Sequence, residues 1–289
     1  MKNIYLLLIT SLVFLFASCD KKKEKVFEDS STARLNASID NVYNSIKVKP
    51  AWIMSYFPGA NVEYGGFNLF ANFTTSTDVN LQADIFNATP TSTFKVYPGA
   101  GPILTFDTYN VIIHYFALPG YYTGNSTSLG IGASDSGMKG DYEFLVLSAN
   151  QDSIIMKGRK YGNIIKMKSV ASDQLASLIT NYKAANVRFN TYRGFTIEVN
   201  GKTLQGVPTV ATVNTISRPN RSFTIATAPS VTISYIVTDT GIDFYKDYTV
   251  EGVKINKLIY VAPNAQYTQG YYTNSNNTFK MIPRLTTTP

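Results

Sequence analysis

Asn163-Ile164-Ile165-Lys166-Met167-Lys168-Ser169 is the stretch that sets the class of fold. Along an extended backbone successive side chains point to opposite faces, so Ile165 and Met167 lie on one side and Lys166 and Lys168 on the other. A strand with one apolar and one charged face belongs to an antiparallel sheet that covers a core with one side only. The five basic residues between Lys157 and Lys168 then read as a solvated strand face, a polyanion site being the alternative.

Upstream, turn signals at Pro58-Gly59, Gly65-Gly66, Asn87 to Pro90, Pro98-Gly99, Pro119-Gly120, Asn150 to Asp152 and Gly158 to Gly162 divide the chain into short runs. Strands are expected at 52–57, 66–74, 78–86, 93–97, 102–106, 109–117, 141–148, 152–157 and 163–169. Eight or nine such strands can close into a barrel, which removes exposed edges and leaves a cup for a small ligand. Before them Leu35, Ile39, Val42, Tyr43 and Ile46 form one apolar stripe at helical period. Asp29, Ser30, Ser31 and Thr32 offer caps and Pro50 closes the segment, so a helix over 31–47 plugs or flanks the sheet.

Downstream the order repeats. Leu175, Leu178, Ile179 and Tyr182 make a second helical stripe with Ser172 as cap, followed by expected strands at 193–199, 207–216, 222–227, 231–238, 242–246 and 252–261. Helix then meander occurs twice, which opens duplication as one form of the fold. The expected class is mainly β: an antiparallel meander or barrel with flanking helices, in one form two tandem helix-plus-β halves. The domain reading is a signal over 1–18, a tether over 19–30, a helix and barrel-like domain over 31–170, and a helix and second β-domain over 171–289.

The signal rests on Leu12-Val13-Phe14-Leu15-Phe16-Ala17-Ser18-Cys19. Lys2, an apolar run from Ile4 to Phe16 and the small pair Ala17-Ser18 have the layout of an export signal. The run of about 13 residues is shorter than the roughly 20 needed to span a bilayer. Cys19 is the only cysteine, so no intramolecular disulfide can form. The stretch resembles a bacterial lipoprotein signal, which implies diacylglyceryl and palmitate-type acyl chains on Cys19. One chain anchors marginally at about 0.8 kcal/mol per buried CH₂, and several hold permanently.

Charged residues make up 16% of the chain, while Tyr (20) and Phe (17) are abundant, a balance that favours strands. Of the net charge of +7, Lys2 and the run Asp20 to Lys25 hold +3, and the modest remainder gives no sign of a nucleic-acid partner.

Arg34-Leu35, Trp52, Tyr64-Gly65-Gly66-Phe67-Asn68, Leu104-Thr105-Phe106-Asp107-Thr108-Tyr109-Asn110, His114, Gly140-Asp141-Tyr142-Glu143-Phe144 and Met156-Lys157-Gly158 resemble Bacteroidota lipoproteins of domain-of-unknown-function family 4302, over about residues 30–170. The resemblance implies an outer-membrane lipoprotein of the cell envelope, periplasmic or surface-facing, near nutrient-uptake systems of the SusC/SusD kind. It supplies no reaction. A Trp opening the first strand adds a fold-level analogy to the lipocalin-like class.

Catalytic sets are scarce. His114 is the sole histidine, so a histidine-paired metal site or a Ser-His-Asp triad would rest on it alone. Between Ile112 and Phe116 it reads as a hydrogen-bonded core residue or a ligand contact. Asp141 and Glu143 fall on one face of an expected strand, and read as a cation or sugar site or as cross-strand partners of Lys157 or Arg159. Paired carboxylates also serve hydrolysis, but two from one strand do not straddle a scissile bond. Asp107 and Asn110 read as turn formers. Aromatics in Gly/Asn-rich loops (Tyr64, Phe67, Tyr121, Tyr122, Tyr267, Tyr271, Tyr272) suit sugar faces.

The expected ligand-binding set is Trp52, Tyr64, Phe67, Asn68, Asp107, Tyr109, His114, Tyr121, Tyr122, Asp141 and Glu143. No catalytic residue, metal or cofactor is expected. The functional expectation is a non-catalytic glycan or nutrient binder anchored to the membrane through Cys19. A protein-interaction module and a hydrolase using Asp141 or Glu143 are the alternatives.

Overall fold

The computed structural model describes residues 27–59, 61–118, 136–213 and 216–286, with backbone alone for 209–213 and 216–219. The chain divides into units 1–34 and 35–289. The described part of the first unit carries the start of helix α1 (Ser31–Val48), where Ser30 Oγ accepts the Ala33 N–H at 3.1 Å.

The larger unit holds two closed antiparallel barrels of eight strands each. The first comprises β1 (Ala51–Tyr56), β2 (Phe67–Phe73), β3 (Asp78–Ala83), β4 (Thr91–Pro98), β5 (Pro102–Phe106), β6 (Glu143–Ala149), β7 (Ser153–Gly158) and β8 (Ile164–Ser169). Each strand pairs with the next, and β8 returns to β1 with Met54 opposite Met167. Between β5 and β6 lies a short helix, α2 (Val111–His114), and after β8 comes α3 (Leu175–Phe189). The second barrel follows as β9 (Gly194–Val199), β10 (Lys202–Val213), β11 (Ile216–Ile225), β12 (Val231–Val237), β13 (Gly241–Val250), β14 (Val253–Val261), β15 (Tyr271–Thr273) and β16 (Phe279–Arg284). It closes between β16 and β9, Met281 opposite Ile197.

Period-2 alternation fills both barrels with side chains. In the first, Trp52, Met54, Tyr56, Leu69, Phe106 and Phe144 point inward and are fully buried. In the second, Phe195, Ile197, Phe223, Ile233, Ile242, Tyr272 and Phe279 do the same. The cup expected from strand count is thus occupied by the protein's own rings, as small barrels commonly are. Helix α1 buries Val42 and Ile46 in the core of the first barrel, with Ile39 and Tyr43 packed beside them, and the Tyr43 hydroxyl accepts the Val96 N–H at 2.9 Å. Helix α3 serves both barrels. Ile179 packs with Ile53 and Phe70 outside β1 and β2, whereas Ala185 and Phe189 join the second core.

Some elements depart from expectation for identifiable reasons. The strand expected at 109–117 is helical at its centre: Asn110 Oδ1 accepts the Ile112 N–H at 3.0 Å and starts α2. Ile112, Ile113 and Phe116 are all buried, a spacing that suits a helical turn as well as a strand. Helix α3 starts after Gln174, which makes no side-chain cap, rather than at Ser172. Strand β10 begins five residues earlier than expected, because Asn200 and Gly201 take φ of 48° and 73° and turn the chain in two residues, placing Val199 opposite Lys202. Tyr271 and Tyr272, expected in a loop, form β15.

The barrels meet along the outer faces of β1, β2 and β8 on one side and β12 and β13 on the other. At one joint the Arg221 guanidinium, side chain 7% exposed, pairs with fully buried Asp84 at 2.7 Å. It also donates to the Gly66 carbonyl at 2.8 Å and to Asn186 Oδ1 of α3 at 2.8 Å, and stacks 4.4 Å over the Phe67 ring. Asn68 Nδ2 donates to Asp84 at 2.8 Å and to the Val237 carbonyl at 2.6 Å. The second joint is apolar, with Phe57, Val62, Ile236 and Tyr245 packed together. Its polar support is Ser234 Oγ donating to the Val62 carbonyl at 2.9 Å, and Ile164 N–H donating to the Tyr245 hydroxyl at 3.0 Å. Gly65 and Gly66 are the contact point: a Cβ on Gly65 (φ 71°) would overlap the Arg221 carbonyl, and one on Gly66 would meet Phe57 and Ile236.

Removing one partner of a buried, hydrogen-bonded ion pair strands the other charge, at a cost of about 3–5 kcal/mol. Arg221→Ala is therefore expected to lower the unfolding free energy by about that amount in urea denaturation, and Arg221→Met combined with Asp84→Leu by less than the single change. A loss below about 1 kcal/mol would show that the pair is not a structural tie.

Candidate functional site

The residues nominated by the sequence separate into a buried group and one surface patch. Trp52 lies inside the first barrel, its indole N–H donating to the Lys49 carbonyl. Phe67 is also in that core, Asn68 belongs to the Arg221 joint, and the Tyr64 carbonyl accepts the Arg221 N–H at 3.1 Å. These four hold the fold together. Tyr121, Tyr122 and Cys19 lie outside the described residues.

Asp107, Tyr109, His114 and Glu143 reach one side of the first barrel. The segment after β5 is held by Thr108 Oγ1, which accepts the Thr93 N–H at 2.9 Å, and by buried Asn110, whose Nδ2 donates to Ser92 Oγ at 3.0 Å. The short helix α2 then turns His114 back, with Nδ1 3.2 Å from Asn110 N and 3.1 Å from its carbonyl oxygen. The imidazole stacks on Tyr142 at 4.5 Å and 26° between planes, and Tyr109 tilts against it at 5.3 Å. Tyr109 is 59% and Tyr142 41% exposed, so a histidine flanked by two tyrosines presents rings to solvent. Burial of His114 lowers the imidazole pKa, and its bond to the Asn110 backbone partly opposes this.

Charged groups adjoin the rings along the chain, since Asp107 leads into Tyr109 and Glu143 follows Tyr142. Glu143 pairs with Arg159 at 2.8 Å and accepts the Tyr97 hydroxyl at 3.2 Å, while Arg159 also donates to that hydroxyl at 2.9 Å. Lys95 pairs with Asp107 at 2.6 Å. All are substantially exposed, so each pair contributes little to stability and remains available to a ligand.

Asp141 and Glu143 do not share a face. Asp141 precedes β6 and turns inward, its carboxylate accepting the Lys160 N–H at 2.7 Å and the Tyr161 N–H at 3.1 Å, whereas Glu143 points out to Arg159. Burial pushes the Asp141 carboxyl up and the two N–H groups pull it back. Its carbonyl accepts the Tyr56 hydroxyl at 2.8 Å, which fixes the inner end of the segment. The two carboxylates therefore have separate duties, one in loop geometry and one on the surface. Among the described residues no group of three or more His, Cys, Asp or Glu could hold a metal ion.

Tyr142, Tyr97 and Arg159 were not in the expected set. The signal for Tyr142 is its place in Gly140-Asp141-Tyr142-Glu143-Phe144, between the two carboxylates. Tyr97 carries no local signal, because strand pairing alone brings it to Glu143, whereas the expected cross-strand pairing with Arg159 is present at Glu143. Of the tyrosines expected in loops, Tyr272 is buried in the second barrel, and Tyr267 tilts against Tyr271 at 4.6 Å with the Lys280 ammonium over both rings.

The family model described as Domain of unknown function (DUF4302) matches residues 23–262, and the chain belongs to that family. Membership thus extends well past residue 170 and takes in most of the second barrel. No curated protein matches the chain.

With one histidine in the chain, the titration can be read without assignment. The imidazole is expected to titrate below the ~6.5 of a free histidine when followed by proton NMR. Because the unfolded chain then takes up the proton first, stability falls as the pH drops from ~6.5 through the folded midpoint, and levels off below it. A midpoint at or above ~6.5 would contradict the burial of this ring.

Proposed function

We propose, for this member of a family without an assigned activity, that the chain is a membrane-anchored lipoprotein that binds a glycan without transforming it, through the outer surface of its first barrel. The observation that carries the reading is the Tyr109–His114–Tyr142 stack, exposed at both tyrosines and edged by Asp107, Lys95, Glu143, Arg159 and Tyr97. Aromatic faces cover the apolar faces of a sugar ring, while carboxylates, guanidinium and phenol bond its hydroxyls. An open surface admits a long polymer, for which a filled barrel has no room. The hydrolytic alternative lacks a second carboxylate beside Glu143, since Asp141 turns inward and is held by backbone N–H groups.

The anchor in this proposal is Cys19, lipidated after cleavage at Ser18. With the envelope location and the proximity to SusC/SusD-like uptake proteins, it rests on the signal-like sequence and the family resemblance. A capture module of this kind would deliver its ligand and perform no chemistry.

Two measurements test the proposal. Binding of the detergent-solubilised chain to a polysaccharide and oligosaccharide panel is expected to fall by about tenfold or more, ~1.4 kcal/mol, in Tyr109→Ala with Tyr142→Ala. No binding across the panel, or binding indifferent to both changes, would move the reading to a protein-interaction module. Separately, labelled palmitate supplied to the producing cells is expected in the chain and lost in Cys19→Ser; label that persists in that variant would remove the anchor.

A further inference from the structure

Between the two joints the barrels leave a cleft. One chamber of about 590 Å³ is lined by Ile53, Ser55, Lys168, Leu178, Tyr182 and Asp239, among others, and reaches Asn68 of the Arg221 joint. A second of about 320 Å³, lined by Phe57, Lys166, Ile236 and Tyr245, reaches the apolar joint. Ser55 and Asp243 line both, so the two chambers adjoin along one groove. Each volume lies within the roughly 300–1,000 Å³ of small-ligand sites.

The charges that line the groove are sorted by wall, with Lys257 of β14, opposite Asp243 in register, beside the anionic one. Lys166 and Lys168 project from the outer face of β8, opposite Ser55 and Ile53 of β1 in register. Asp243 projects from the outer face of β13, with Asp239 in the turn before it. They are close enough to act on one another: burial between the walls raises the Asp243 carboxyl, Lys257, Lys166 and Lys168 lower it, and Asp239 raises it. Burial, and then these two carboxylates, hold the Tyr182 hydroxyl well above its ordinary range. Yet among the described residues none of Lys166, Lys168, Lys257, Asp239 and Asp243 enters an ion pair. The joints hold cation wall and anion wall apart, with Ile53, Phe57, Leu178, Ile236 and Tyr245 as apolar lining between them.

We infer that this groove is a second binding site, distinct from the aromatic patch, and that its ligand is a short peptide with free termini. The terminal ammonium lies against Asp239 and Asp243, the terminal carboxylate against Lys166 and Lys168, and apolar side chains fill the space between. Charge complementarity selects this class. A ligand of one sign would meet one attractive and one repulsive wall, and a neutral sugar would complement the charge of neither. An apolar zwitterion matches both walls and the lining together.

The experiment is calorimetric titration of the full chain in detergent with a free-ended leucine tripeptide, its N-acetylated form and its C-amidated form. The free-ended peptide is expected to bind about tenfold or more tightly than either blocked form. Asp239→Asn with Asp243→Asn should remove the advantage of the free amine and leave that of the free carboxylate, and Lys166→Gln with Lys168→Gln should do the reverse. All four positions are outside the barrel cores, and unchanged thermal unfolding will confirm that each variant is folded. Absence of binding at millimolar peptide, equal binding of free and blocked peptides, or binding indifferent to both double variants would each overturn the site. Glycan binding, read on the same variants, is expected to be unchanged, which keeps this outcome separate from that of the aromatic patch.

Discussion

The arrangement of this protein depends on one guanidinium placed where water cannot reach it. Arg221 leaves the second barrel, crosses to the first and is met by Asp84, the Gly66 carbonyl and the Asn186 side chain, with the Phe67 ring beneath it. A buried charge is tolerable only when its hydrogen bonds are made, so these partners fix the position of every element that supplies one. Strand β2, the end of β3, strand β11 and helix α3 are thereby locked together. The glycines at 65 and 66 follow from the same constraint, since the approach of Arg221 and Ile236 leaves no room for a side chain.

The two barrels share an architecture but have different neighbours. The first receives α1 against its core and carries the aromatic patch on its outside; the second receives the end of α3 and supplies the anionic wall of the cleft. Since both interiors are packed with aromatic and aliphatic side chains, the polar and charged side chains are left to the outer surfaces, where strand alternation places every second residue. The same strand β8 illustrates both uses: Ile165 and Met167 build the core, while Lys166 and Lys168 line the groove.

What could be read in the sequence was what is local. Alternation in 163–169, the stripe from Leu35 to Ile46 and the Gly/Pro punctuation located helix α1 and most strands, and the order helix then meander left one barrel or two tandem halves open. The failures have physical causes. In Val111-Ile112-Ile113-His114 the apolar residues satisfy strand and helix periods alike, and the deciding bond comes from the Asn110 side chain. Strand β15 is three residues long and tyrosine-bearing, and Asn- and Thr-rich turn residues separate it from β16 and hide both. Arg221 stood beside Pro219-Asn220, a turn signal, and its partner Asp84 is 137 positions away. At the aromatic patch, Tyr109, His114 and Glu143 were identified individually, yet their convergence with Tyr97 and Arg159 exists only in the folded barrel.

The groove is tied at both of its ends. Opening the groove would require either breaking the Arg221–Asp84 pair or parting Phe57 from Tyr245, both of which are made before any ligand arrives. The space between the barrels is therefore a slot of fixed gauge rather than a jaw. It sorts its guests by span, and its rate of filling is set by their diffusion and dehydration, without a closing motion to wait for.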